Sequence, residues 1–245
     1  MSGISARLLT THDEFAEAVR LQAEIWGFAE MELLPVRLFV VASKVGGHVF
    51  GAFDGRRMVG FCLAIPGLKP GGKSYLHSHM LGVLPEYRDR GVGRLLKLEQ
   101  RKEAMARGIE LIEWTFDPLE LKNAYFNVER LGAVVRRYVL NHYGTTTSRL
   151  HGGLPTDRCV AEWWVATPWV EATLARQRPR LSVEDRISVP AGIDLLRREA
   201  PKQAREIQRS VSERFLECFA GGLAVIGFER SESAGTYLLG RWESE

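Results

Sequence analysis

The strongest constraint in this chain is the loop at residues 88–93, which lies between two predicted regular elements. It follows the apolar stretch 80–83 after four intervening residues and directly precedes the helical run 94–107. Its two glycines allow a tight turn and let the backbone approach a ligand without interference from a Cβ atom. The N-terminus of the next helix offers N–H groups and a positive dipole end to an anion. The sequence therefore predicts a strand, a pyrophosphate-binding loop and a helix in succession.

Two other glycine-rich phosphate loops do not fit this segment. A Walker A loop ends in Gly-Lys-Ser/Thr, and a dinucleotide-binding loop needs a third glycine three residues after the second. Here Arg94 follows Gly93, and Leu96 occupies the position of the third glycine. One plain alternative stays open: the loop caps an ordinary helix, and Arg88, Arg90 and Arg94 are solvated surface charges.

Composition favours a globular, nearly neutral chain with a substantial core. The 245 residues are 45% hydrophobic, and 33 basic against 30 acidic residues leave a net charge of +3. This balance argues against a nucleic-acid-binding surface. No run reaches the roughly 18 apolar residues of a membrane span. Because Cys62, Cys159 and Cys218 lie far apart in apolar runs, they are expected to be buried thiols. We expect a cytoplasmic protein that binds neither nucleic acid nor membrane.

Hydrophobic periodicity and turn residues predict a mixed α/β organisation. The clearest element is a hairpin whose strands, at 48–53 and 58–65, are joined by an Asp-Gly turn. Near the C-terminus, Pro201 opens an amphipathic helix, and a second hairpin follows between residues 223 and 239. The remaining predicted strands are 4–9, 74–83, 109–116, 133–140 and 158–166, and the remaining predicted helices are 11–26, 36–44, 94–107 and 119–131.

The spacing R-x-x-G-x-G on a strand, loop and helix resembles the acyl-CoA-binding signature of the Gcn5-related N-acetyltransferase (GNAT) superfamily. The resemblance covers roughly residues 4–168 and is strongest over 74–132. It implies an α/β (α+β) fold with a mixed, mostly antiparallel central sheet, splayed at the acyl-CoA site and flanked by helices. We expect a catalytic domain at 1–168, a linker at 169–185, and a C-terminal αβ extension at 186–245 packed on or extending the sheet.

The resemblance also implies where the donor binds. Backbone groups of the strand at 74–83 would pair with the pantetheine arm and polarise the thioester, and the loop would hold the pyrophosphate. The donor would be acetyl-CoA or succinyl-CoA. No metal is expected, because no His/Cys/Asp cluster has ligand spacing. The residues expected to bind the donor are Leu81, Gly82, Val83, Arg88, Asp89, Arg90, Gly91, Val92, Gly93, Arg94, Asn123 and Phe126.

Two histidines occupy the position at which GNAT enzymes often place a general base. Counting six residues back from Val83 reaches His77, and His79 lies two residues further along on the same strand face. The pattern His-x-His-x-Leu-x-Val resembles the arylalkylamine N-acetyltransferase branch, in which two such histidines move a proton through water. The ordinary pKa of histidine, about 6.5, suits that role. The alternative is that both side chains only make hydrogen bonds within a buried strand.

One position departs from the GNAT pattern. Many of these enzymes carry a tyrosine four residues before the glycine that ends the helix after the fifth strand, where it protonates the departing thiolate. Counting back from Gly132 gives Val128, which cannot donate a proton. Tyr125 is the candidate acid nearby, and Tyr138 or Tyr143 could approach from later strands. The departure leaves open a different function, a catalytically weak or inactive CoA-binding module with a regulatory or scaffolding role.

Three further segments, at 114–119, 123–127 and 153–158, resemble a group of largely uncharacterised bacterial GNAT proteins with a C-terminal extension. Some members are linked to N-succinylation of amino acids. On this resemblance Arg149 or Arg158 would bind a substrate carboxylate bidentately, although Arg158 could instead pair with Asp157.

The expected activity is acyl-CoA-dependent N-acylation of a small-molecule amine, such as an amino acid. The amine would attack the thioester directly in a ternary complex. Because GNAT proteins often dimerise, a homodimer is left open.

Overall fold

The computed structural model describes residues 3–144, 154–177, 179 and 181–243. The chain forms two compact units, Met1–Glu113 and Trp114–Glu245. Helices flank a mixed and mostly antiparallel sheet, so the expected fold class is confirmed. The first unit contains β1 (Ile4–Leu8), α1 (His12–Trp26), α2 (Val36–Lys44), β2 (His48–Asp54), β3 (Arg57–Leu68), β4 (Ser74–Val83), α3 (Val92–Ala106) and the start of β5 (Leu111–Phe116).

The strands of the first unit follow the order β1-β2-β3-β4-β5. Helix α1 begins with a capping box, in which the Glu14 amide donates to Thr11 Oγ1 over 3.3 Å and the Thr11 amide donates to Glu14 Oε2 over 3.1 Å. Such a reciprocal pair satisfies two amides that a helix leaves without partners. The core of this unit is apolar; among its largest fully buried side chains are Leu21, Phe39, Phe61, Leu63, Leu76, Leu84, Leu96 and Ile112.

Strands β2 and β3 form the predicted hairpin, and β3 is longer than expected. Residues 66–68 continue β3 and pair with residues 74–76 of β4. Gly67 permits this, because its lack of a side chain lets the Tyr75 ring pack directly over the backbone. The connection between β3 and β4 therefore shortens from the eight residues between the predicted strands, 66–73, to residues 69–73.

The second unit carries the strand order β5-β7-β6-β9-β10-β8. Strand β9 pairs with β6 at Val225 and Val135, and β10 lies between β9 and β8. The elements after β5 are α4 (Leu121–Tyr125), a π-helical turn (Phe126–Arg130), β6 (Val134–Val139), β7 (Arg158–Trp164), α5 (Pro168–Leu174), β8 (Asp185–Pro190), α6 (Ile193–Glu199), α7 (Pro201–Ala220), β9 (Ala224–Arg230) and β10 (Ala234–Gly240).

The helix expected at 119–131 is split. Only α4 is α-helical, and in the turn that follows, the Leu131 amide donates to the Phe126 carbonyl, five residues back. The widened turn rotates the faces that the later residues present. A count back from Gly132 that assumes α-helical geometry therefore misjudges which side chains share a face with α4.

The C-terminal region holds more regular structure than its sequence suggested. Helix α7 and the β9–β10 hairpin are present as predicted, while β8 and α6 were not predicted. Helix α5 occupies the start of the segment expected as a linker, where Thr167 caps it and Pro168 takes its first position. Proline suits that position because its missing N–H would have no partner there.

Candidate active site

The two predicted histidines lie side by side on β4. Their ring centroids are 5.8 Å apart, and both side chains are half-buried. Burial lowers the pKa of His79 from its ordinary value of 6.5. A histidine with a lowered pKa is neutral at physiological pH and can accept a proton.

A β-bulge lies at the second of these histidines. The register pairs Met80 with Leu63 and Ser78 with Ala64, which leaves His79 as the extra residue of β4. A bulge takes the extra residue out of the regular ladder and re-aims its side chain. The backbone of β4 can therefore meet a ligand at the position of His79. The sequence did not predict this bulge.

A buried carboxylate lies beside His77 on the neighbouring strand. The parallel β4–β5 register pairs Leu76 with Ile112 and His77 with Glu113. Glu113 is only 4% exposed, and its Oε1 accepts a hydrogen bond from Lys69 Nζ over 2.6 Å. Sequence reasoning missed Glu113; the available signal was a charged residue within an otherwise apolar strand.

The end of β4 holds the three residues expected to contact the pantetheine arm. Leu81, Gly82 and Val83 pair with residues 60–62 of β3 on one side. Because this pairing occupies only one edge of β4, the other edge offers its backbone in the stretch after His77. Gly82 is needed here, because a Cβ atom would lie 2.6 Å from the Trp26 ring of α1.

The phosphate loop has the backbone of an anion-binding turn. Asp89 and Gly91 both have positive φ angles, 58° and 82°, and Gly91 is the N-cap of α3 without a side-chain cap. Turns that include residues of this kind can aim backbone N–H groups at an anion. The first turn of α3 adds N–H groups that cannot bond within the helix.

Three arginines add positive charge to the loop and the first turn of α3. Arg88 and Arg90 are exposed and Arg94 is half-buried. Arg88 Nε donates to the Val83 carbonyl over 3.3 Å, and the Arg90 guanidinium lies 4.7 Å from the centre of the Tyr87 ring. Val92 is buried, so it contributes only backbone groups, while Gly93 is half-buried. The structure thus brings the predicted residues of β4, the loop and α3 together within the first unit.

The remaining residues predicted to bind the acyl donor, and the residue predicted to act as general acid, lie in the second unit. Asn123 is exposed on α4, and Tyr125 and Phe126 are half-buried. The Arg230 guanidinium lies 5.8 Å from the centre of the Tyr125 ring. Val128 is completely buried.

The two later tyrosines differ sharply in environment. Tyr138 is buried; its hydroxyl lies 2.9 Å from Ser212 Oγ, and burial raises its pKa. Tyr143 is half-exposed, and its hydroxyl lies 2.8 Å from Thr115 Oγ1 on β5. Of these two, only Tyr143 is accessible to a substrate.

Of the two arginines predicted to bind a substrate carboxylate, the structure describes Arg158. Arg149 lies outside the described residues. Arg158 is 7% exposed; its Nη1 lies 4.0 Å from Asp117 Oδ2 and donates to the Asp157 carbonyl over 2.9 Å. The Asp157 carboxylate itself accepts hydrogen bonds from the Asn141 amide and Ser212 Oγ.

A buried ion-pair network that the sequence did not predict lies near Arg158. Arg197 of α6 contacts Asp117 and Glu120, each over 2.7 Å. Removing one member of such a network leaves an uncompensated buried charge, so the network joins α6 firmly to the turn after β5.

No group of three or more His, Cys, Asp or Glu side chains in the described part of the chain could hold a metal ion. No helix there is both long and apolar enough to cross a membrane.

Comparison with known proteins extends this description. The sequence model described as the acetyltransferase (GNAT) family matches residues 10–132, half of the chain. No curated protein sequence matches. The fold is similar to that of yncA from Salmonella typhimurium, solved with acetyl-CoA, at 14% identity and a TM-score of 0.53, covering 67% of this chain and 97% of that one. It is also similar to the ribosomal-protein-S18-alanine N-acetyltransferase from Escherichia coli, at 16% identity and a TM-score of 0.52, covering 67% and 95%.

Proposed function

Because this chain belongs to the GNAT acetyltransferase family and is an acyl-CoA-dependent N-acyltransferase, we propose that it acylates the amine of a small molecule by direct attack on the thioester. The observation that carries this proposal is the pair of half-buried histidines, with ring centroids 5.8 Å apart, on the strand that leads into the phosphate loop. The proposed proton acceptors and the backbone proposed to bind the acyl donor thus belong to one continuous segment.

The donor would be held mainly by backbone groups. The N–H groups of residues 88–94 would bind the pyrophosphate, and the exposed arginines of the loop would add positive charge. Leu81, Gly82 and Val83 would pair with the pantetheine arm. The bulge at His79 would offer a backbone donor to the thioester carbonyl, where negative charge develops during attack. Asn123 and Phe126 are proposed as further donor contacts.

The histidines would remove a proton from the attacking amine. An amine with a pKa of about 9.5 is only about 1% neutral at pH 7.5. Removing its proton at that pH therefore costs about 2.7 kcal/mol of free energy. His79, whose pKa burial lowers, is neutral and ready to accept that proton through water. Glu113, in register with His77, would orient the His77 ring.

The departing CoA thiolate needs a proton or a well-solvated exit. Tyr125 is our proposed acid, and Tyr143, which has an accessible hydroxyl, is the second candidate. Acetyl-CoA is the donor that family membership supports. Succinyl-CoA is a further proposal, in which Arg158 or Arg149 would bind the added carboxylate.

We also propose an amino acid as the acceptor and the cytoplasm as the compartment. The second proposal is supported by Cys62, Cys159 and Cys218, all of which are free and buried, as expected in a reducing environment.

A thiol-release assay tests the proposed function. Purified protein would be given acetyl-CoA or succinyl-CoA with pooled L- and D-amino acids and with arylalkylamines, while calorimetry measures CoA binding. Turnover in one pool supports the enzyme and identifies both substrates. CoA binding without turnover in any pool would instead favour a CoA-binding module, for which the buried Val128 at the usual tyrosine position is the observation.

The double variant His77→Ala/His79→Ala tests the catalytic assignment. We expect turnover to fall by about two powers of ten or more while CoA affinity is kept, because only the proton acceptors are removed. His12→Ala, at the exposed start of α1, is the matched control for loss of a histidine. Acylation that continues at the wild-type rate in the double variant would rule out the histidines as the base.

A further inference from the structure

A buried polar cluster lies between β4 and α3, on the side of β4 that α3 covers. Lys97 is 3% exposed, and its Nζ donates to Ser78 Oγ over 2.8 Å. Ser78 Oγ in turn lies 3.0 Å from Gln100 Oε1, to which it donates. Lys97 and Gln100 are three residues apart on α3 and therefore occupy one face of the helix. The donor-binding roles described above use none of these three side chains.

The cluster contacts β4 next to its bulge, through Ser78. Ser78 pairs with Ala64 and immediately precedes His79, the extra residue of the bulge. Lys97 lies on the helix whose first turn follows the phosphate loop, five residues after Val92. One hydrogen bond therefore joins the strand at its irregular point to the helix that would hold the donor phosphates.

Packing alone does not account for a lysine at this position. Burial lowers the pKa of Lys97 to about 7, which means that the surroundings disfavour its charged form. In the part of the chain that the structure describes, both ring nitrogens of His48 and the Nε2 of Gln100 have no hydrogen-bond partner. His48 lies on the same cross-strand row as Ser78, because both pair with Ala64 of β3. An aliphatic side chain in place of Lys97 would avoid the desolvation cost of the buried amine.

We propose that the Lys97–Ser78 hydrogen bond is a positioning contact that holds the β4 bulge, and with it His79, in a fixed place relative to the phosphate-binding helix. This inference rests on the proposed acyl transfer at β4. Lys97 does not touch the reacting atoms; it acts through Ser78. A misplacement of about 1 Å at a reacting centre can reduce turnover by up to about a hundredfold, so a contact that fixes a bulge has a measurable kinetic effect.

The decisive variant is Ser78→Ala/Lys97→Met, which replaces both partners by apolar groups of similar shape. Such a double replacement removes the buried amine and the hydroxyl together, and thermal unfolding of the variant measures what the loss of the Ser78 donor to Gln100 Oε1 costs in stability. We expect kcat for acetyl transfer to fall about tenfold while KM for acetyl-CoA changes less than about threefold. Ser78→Ala alone, which keeps the buried amine, should give at least as large a fall in kcat.

A second measurement separates positioning from general loss of stability and does not depend on turnover. The pKa of His79, followed by NMR of histidine-labelled protein and assigned with His79→Gln, should move from its lowered value toward 6.5 in the double variant, because a loosened bulge exposes the ring to water. Thr11→Ala, which destabilises the same unit at the cap of α1, is the control and should leave this pKa unchanged.

The two measurements give distinct outcomes. A fall in kcat together with a shifted His79 pKa supports the proposal. An unchanged His79 pKa, or a kinetic effect that Thr11→Ala reproduces, would overturn it. If no acceptor is found and wild-type turnover is absent, the proposed function fails, and the His79 titration still decides whether Lys97 and Ser78 position the bulge.

Discussion

At the scale of single residues, His48 shows how burial converts directly into a dependence of stability on pH. The side chain is 2% exposed on β2, and desolvation, followed by the charges of Arg107 and Lys97, lowers its pKa to about 3. The unfolded chain binds a proton at this residue below pH 6.5, whereas the folded chain does so only below about pH 3. Stability is therefore lost as the pH falls from 6.5 toward 3.

The variant His48→Leu should remove this acid sensitivity. Between pH 7.5 and pH 5, wild-type protein should lose about 2 kcal/mol of unfolding free energy more than the variant, because the variant has no imidazole to protonate on unfolding. Urea unfolding at the two pH values measures the difference. Parallel losses in the two proteins would show that His48 takes up its proton over the same pH range in the folded and the unfolded chain.

In the candidate site, spacing along the sequence predicted some residues and missed another. The position of His77 and His79 follows from their spacing before Val83, and the structure puts their rings side by side. Glu113 could not be found in this way, because its place beside His77 depends on the register between two strands separated by α3. The catalytic roles of all three stay predictions until the variants are measured.

At the scale of elements, the phosphate loop and α3 depend on their two glycines to different degrees. Gly91 has a φ of 82°, which a residue with a Cβ atom adopts only with strain. Gly93 lies within α3 and has no positive φ; a Cβ atom there would make an ordinary 3.5 Å contact with Leu81. Only the first glycine is required by the backbone conformation of the loop.

Alanine at each position should therefore have different effects. Gly91→Ala should cost about 1 kcal/mol of stability and weaken acetyl-CoA binding about fivefold, because the loop must leave its anion-binding conformation. Gly93→Ala should be neutral or stabilising by about 0.5 kcal/mol, since alanine favours the helix. Thermal unfolding and calorimetric titration measure both effects. Equal destabilisation by the two variants would contradict this account of the loop.

The elements that the sequence predicted well are those with local signals. The β2–β3 hairpin has its Asp-Gly turn, α1 has its capping box, and α3 has the loop before it. The π-helical turn after α4 was missed, because the bond from the Leu131 amide to the Phe126 carbonyl has no simple sequence signal. Strand β8 was missed because its sequence, DRISVP, is short, begins with two charged residues and ends in proline.

At the scale of the whole molecule, the three cysteines report separately on the two compact units. Cys62 is buried in the first unit, and burial raises the pKa of its thiol to about 12. Cys159 and Cys218 are buried in the second unit. Since only a thiolate reacts readily, a thiol reagent should modify each cysteine only when its unit opens.

Acetyl-CoA should slow the labelling of Cys62. A ligand at about 100 times its Kd stabilises the folded state by about 2.7 kcal/mol, which corresponds to about a hundredfold slower labelling through the open state. Mass spectrometry of peptides after timed labelling measures Cys62, Cys159 and Cys218 in one sample. A labelling rate of Cys62 that saturating acetyl-CoA leaves unchanged would contradict donor binding by β4 and the phosphate loop.

The amino-acid sequence by itself determined the α/β class, the strand–loop–helix at residues 74–107 and the histidine pair, because turn glycines, caps and alternation act between residues close in the chain. Only the tertiary structure decided that His79 occupies a bulge, that Glu113 lies beside His77, and that Lys97 is buried against Ser78. These features depend on the register between strands that are distant in sequence and on the helix that packs over those strands. The physical reason is that register and burial depend on the packing of many residues at once, which no short stretch of sequence specifies.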